Sequence, residues 1–233
     1  MPMVGLGRLL LGLIIIMTLG GCSSALGTKA DVVTGPEGPT FSLMVGGKEL
    51  ADSTERLLSG TYRKGITILE LLQGSGVAVF AEDGQKILAV SNVSLGPDME
   101  WEVQMDGKVI SNTNWKSSPV NSSARIVIMA KSDAGGKDPD SVFLYVNGGS
   151  EQENLTHIYV MSFTSDLSVR SLLKSCGMVQ LSEDNQRIQA VKGHAPQSSE
   201  IWKLRVNGKK LLDNGMDMKL RPMDELEISL GLR

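Results

Sequence analysis

Apolar and polar residues alternate along the chain in a pattern that occurs twice. Trp101, Val103 and Met105 alternate with Glu102 and Gln104 and run into Asp106-Gly107; Trp202, Leu204 and Val206 alternate with Lys203 and Arg205 and run into Asn207-Gly208. A period of two followed by such a dipeptide predicts a strand entering a tight hairpin turn. A shift of 101 residues lays the second half on the first. Leu144-Tyr145-Val146-Asn147-Gly148 falls on Leu43-Met44-Val45-Gly46-Gly47, Leu172-Leu173 on Leu71-Leu72, Glu183-Asp184 on Glu82-Asp83, and Trp202 on Trp101. Two long copies mean two tandem units, since a stacked solenoid uses shorter and more numerous repeats.

Each copy predicts the same elements. Residues 41–45 and 142–146 are β-type runs ending at the hairpin signals Gly46-Gly47 and Asn147-Gly148, with second strands expected over 56–62 and 155–163. A short helix follows. Thr67 and Glu70 form a capping box, Ile68, Leu71 and Leu72 share a face, and Gly74 and Gly76 stop it. The second copy uses Ser168 as cap, Val169, Leu172 and Leu173 as face, and Gly177 as stop. Helices of about two turns do not hold alone and must pack on a sheet. Residues 77–81 and 86–93 read as strands around Glu82-Asp83-Gly84, then comes the Trp strand, and 125–129 or 225–230 closes the copy. The fold class is α+β: two tandem β-grasp-like domains, each a short helix packed on a mixed β-sheet.

Residues outside this pattern set the boundaries. Residues 9–19 are almost wholly apolar after Arg8, too short for a spanning helix and right for a secretory signal. Leu19-Gly20-Gly21-Cys22 follows and resembles the lipobox of bacterial lipoproteins, which implies acylation of Cys22 as the mature N-terminus; the alternative is a secreted chain with an incidental Cys. The layout is then signal peptide 1–21, lipidated Cys and flexible tether 22–40, first repeat 41–130, polar Gly-rich linker 131–141 and second repeat 142–233. The expected location is the extracytoplasmic face of a membrane.

The hairpin, the Thr-x-x-x-Leu-Leu helix, the Trp strand with its Asn-Gly or Asp-Gly turn and the closing Asp-Glu strand resemble the DUF4430 family, akin to the C-terminal β-domain of transcobalamin. The second copy carries this best, through Trp202, Val206, Asn207, Gly208, Asp224, Glu225 and Ile228. The first departs from it, with Asp106 for Asn and Asn121-Ser122-Ser123 before its last strand. The resemblance implies binding of a ligand or partner in the cell envelope. It does not extend to cobalamin, because no cobalamin-contacting residue is matched.

Composition adds mainly exclusions. With 41% hydrophobic and 21% charged residues the chain is of globular type, and a formal charge of −3 without a basic cluster argues against nucleic acid as a partner. Acylation of Cys22 leaves Cys176 as the one thiol, so no intrachain disulfide is available. His157 and His194 read as solvated, and no His/Cys/carboxylate set has metal-ligand spacing. Neither a metal nor a cofactor is expected. Glu82-Asp83 and Glu183-Asp184 could serve as acid/base pairs but read first as β-turns.

Aromatic residues are only 4% of the chain, so Trp101 and Trp202 read first as core anchors and second as stacking surfaces. Trp115, between Asn114 and Lys116 in a polar stretch, reads as an exposed contact residue. The expected site lies in loops 93–100 and 111–121 and their counterparts 194–200 and 213–222. The leading function is a lipid-anchored binding protein with no catalytic site, its partner a small ligand or an envelope protein. The alternatives are an assembly module and, third, a hydrolase of envelope polymers.

Overall fold

Strand β1 (Thr40–Val45) opens the folded region of the computed structural model, which describes residues 38–50, 54–132, 140–212 and 215–233, without the side chains of 54–56. Cys22, the signal segment and the tether as far as residue 37 lie outside the described residues. Phe41, Leu43 and Val45 point into the core, as the alternation predicts. Gly46 and Gly47, at φ +56° and +76°, make the two-residue turn into β2 (Lys48–Glu49).

The strand expected over 56–62 is instead helix α1 (Thr54–Thr61). Leu58 is fully buried and Tyr62 packs against the same core. Their spacing of four is helical, and Gly60 midway between them is exposed, so no period-two pattern survives. Helix α2 (Ile68–Gly74) is as predicted. Thr67 Oγ1 accepts from the Glu70 N–H while the Glu70 carboxylate accepts from the Thr67 N–H, and Ile68, Leu69, Leu71 and Leu72 are buried.

Then come β3 (Ala78–Phe80), β4 (Ile87–Val90) and β5 (Val93–Leu95). The single strand expected over 86–93 is broken by Ser91 and Asn92, both at positive φ, which turn β4 back onto β5. Strand β6 (Met99–Met105) reaches β7 (Lys108–Val109) through Asp106-Gly107, and β8 (Arg125–Ser132) closes the half. β8 lies between β1, which it pairs in parallel, and antiparallel β6, giving the order β2-β1-β8-β6-β7.

The second half repeats these elements. They are β9 (Ser141–Asn147), β10 (His157–Ser162), α3 (Val169–Ser175), β11 (Val179–Leu181), β12 (Ile188–Val191), β13 (Glu200–Val206), β14 (Lys209–Lys210) and β15 (Glu225–Leu232). Ser168 caps α3, answered by Ser171. Asn147-Gly148 does not make the expected tight hairpin. Asn147 Oδ1 accepts from the Gly149 N–H at 2.9 Å, so the left-handed residue is Gly149, and a longer loop leads to β10.

The halves share a sheet. β5 pairs in parallel with β10, so β3, β4 and β5 extend the second half's β14-β13-β15-β9-β10 to eight strands. This makes β9 an interior layer. Val142, Leu144 and Val146 enter the second core, whereas Phe143, with Val160 of β10, enters the first. Lys48 adds a tie, its Nζ 2.6 Å from Glu225 Oε1 and over the rings of Phe143 and Tyr145.

The second half does not repeat this seam. At the positions of β5 stand His194, Ala195 and Pro196, joined to the fold by an isolated bridge from His194 to Val191. The first half likewise has α1 where the second has β10. Among the described residues no helix is long and apolar enough to cross a membrane.

Candidate functional site

Strand β6 is paired by β8 over its whole length but by β7 only at Gln104 and Met105. Its first four residues therefore border open space on one side. The far wall of that space is the start of β4 and the turn leaving β5, a strand that pairs with β10. The result is a groove of about 700 Å³, within the range that small-molecule sites occupy. Trp101 and Trp115 lie at its base. Leu88 and Val109, 49% and 58% exposed, stand on its walls, and Lys86, Glu100, Glu102 and Asn112 supply polar groups.

The free edge has a definite polarity. The Asp106 N–H donates to the Arg125 carbonyl of β8, whereas the Val103 carbonyl accepts from the Ile110 N–H on the opposite side. Antiparallel strands alternate strictly. The N–H and C=O of Trp101 therefore face the groove, with no strand partner there among the described residues. The Met99 N–H, next along this side, is taken by the Gly96 carbonyl at 3.2 Å.

The second half treats the same place differently. His194 sits edge-on against Trp202, ring centroids 6.1 Å apart, with Nε2 3.6 Å from Glu200 Oε2. It is largely buried, not solvated in a polar loop, because the bridge to Val191 turns it under the hairpin. The first half has Val93 at this position, fully committed to the core along the seam with β10. The indole N–H groups of Trp101 and Trp202 are both buried with no hydrogen-bond partner among the described residues, so this feature belongs to the fold and not to one site.

The expected contact residues separate. Trp101 and Trp115 come together at the groove and Trp202 lies in the other half. Trp115 is not the exposed residue its polar neighbours suggest. A short 3₁₀ turn at Asn112–Asn114 leaves those three residues in solvent and turns Trp115 inward. There it is 5% exposed, donates from Nε1 to the Ile110 carbonyl at 2.9 Å and meets Phe80 edge-to-face. Asn114 is exposed outside the groove, and Lys116 Nζ donates to the Asp83 carbonyl. Leu88 and Val109 were not legible as site residues, since single apolar residues on strand edges are common.

Other polar groups are accounted for locally. Asp83 and Asp184 accept from the N–H two residues on, as turn carboxylates do. Cys176 is buried, and burial pushes its thiol up, away from nucleophile character. His157 is half-buried at the seam, 2.8 Å from Ser94 Oγ, and desolvation, aided by Lys192, lowers its pKa to about 4. Among the described residues no three His, Cys, Asp or Glu side chains gather as metal ligands.

No protein-family model and no curated protein matches the chain. Among solved structures, it is similar to one from Ruminococcus gnavus ATCC 29149 described as a "putative metal binding protein". The alignment covers 40% of this chain and 98% of that one, at 16% identity and a TM-score of 0.32. A likeness of that strength supports no functional transfer.

Proposed function

We propose that this chain is a lipid-anchored extracytoplasmic binding protein whose site is the groove beside β6. In this reading each half is a β-grasp-like unit of the DUF4430 type. The first half carries the site, and the second supplies its far wall by holding β5. One observation supports it above the others: the space next to the Trp strand is open in the first half, whereas His194 occupies its counterpart in the second. The anchor rests on the lipobox-like run ending at Cys22.

Leu88→Arg tests the groove. Leu88 is half exposed on its wall, so the fold tolerates the change while the cavity gains bulk and charge. A molecule captured from envelope extract by the wild type should be retained about tenfold less, a loss of about 1.4 kcal/mol. Equal retention would remove the groove as the site. Cys22→Ala tests the anchor separately: acyl labelling and membrane fractionation should both disappear, and their persistence would sink that part.

A further inference from the structure

We propose that the groove takes an extended peptide segment, which adds as a strand to the free edge of β6 with an apolar side chain over Trp101 flanked by cationic ones. This rests on the groove being a binding site and names the class of its occupant.

The Trp101 N–H and C=O are spaced and aimed as one half of a strand pair, facing open space. A peptide residue placed opposite would exchange both hydrogen bonds with it, the recognition mode of strand addition. Side chains alternate across a strand. The peptide residue opposite Trp101 therefore directs its side chain to the Trp101 face, beside Ile110, which pairs with Val103 on that face. Its two neighbours fall on the opposite face, beside Glu100 and Glu102. Opposite charges in such cross-strand positions stabilise the pair.

The second half shows what a closed edge of this fold looks like. There Lys203 and Arg205 replace Glu102 and Gln104, and Lys209-Lys210 replaces Lys108-Val109. Lysines on an edge strand are the usual guard against an added strand. The first half has a carboxylate, an amide and an exposed valine in their place, and Glu100 where the second half has Ile201, which invites a cationic strand.

The test uses the full chain in detergent micelles and the probe acetyl-Gly-Lys-Leu-Lys-Gly-amide. Titration calorimetry at low salt should give a Kd below about 1 mM. Methylating the leucine nitrogen removes the N–H that pairs with Trp101 and should weaken binding at least tenfold. The acidic analogue, with Glu for both Lys, should bind at least tenfold less well. The double variant Glu100→Lys/Glu102→Lys, with its melting temperature checked against wild type, should reverse that preference.

Undiminished binding of the methylated probe would overturn strand addition. So would a failure to bind the probe, even if Leu88→Arg abolishes capture of some other molecule; the groove would then stand and the peptide would not. A dimer in sedimentation that the probe fails to dissociate would assign the edge to a second copy and equally overturn the proposal.

Discussion

Phe143→Ala is expected to lower the unfolding free energy by about 3–5 kcal/mol, the usual cost of emptying a large aromatic site in a core. The loss should appear in both halves at once. Phe143 belongs to β9, a second-half strand, yet its ring is fully buried in the first core. Its neighbours Val142 and Leu144 are in the other core, so the strand cannot shift to fill one void without disturbing the other. Urea unfolding followed by circular dichroism and by tryptophan fluorescence should give one coincident transition, displaced to lower urea. Two separated transitions, with the second half's unchanged, would show that the cores are not coupled through β9.

Acidification between pH 6.5 and 4 should destabilise the wild type more than His157→Gln. His157 titrates near 6.5 when unfolded and at about 4 when folded, because the seam desolvates the ring and Lys192 opposes its charge. In that interval the unfolded chain binds more protons, so stability is full above pH 6.5 and falls as pH drops towards 4. A shift of this size corresponds to roughly 3 kcal/mol. Solvent at the half-exposed ring screens it to about 2 kcal/mol. Glutamine can still bond Ser94 but does not titrate. Parallel pH profiles of urea midpoint for the two proteins would remove His157 as the cause.

Much of this architecture is written in local pattern. The two capping residues, Thr67 and Ser168, the Trp strands and the Asp106-Gly107 and Asn207-Gly208 turns stand where alternation and turn chemistry put them. Residues 56–62 escaped, because one buried Leu58 and one Tyr62 are too few to declare a period before the core is known. The seam escaped for a different reason. Pairing of β5 with β10 joins residues more than sixty positions apart, and nothing in Val93-Ser94-Leu95 marks them as a donated edge. The groove inherits that blindness, since one of its walls is the turn leaving β5, the strand paired with β10. The polar neighbours of Trp115 mark where the turn lies, not which way the next side chain faces.

The seam also sets how many units this design can hold. One unit lends a strand edge, and the next receives it on an exposed strand. At the receiving end of the first unit stands a helix, which has no free ladder to offer. At the lending end of the second, residues 194–196 form no strand like β5, only the isolated bridge of His194 to Val191. Both couplers are blunted, so the stack is finite by construction. A third copy grafted in series would dock only once α1 and residues 194–196 were exchanged for their strand-forming counterparts.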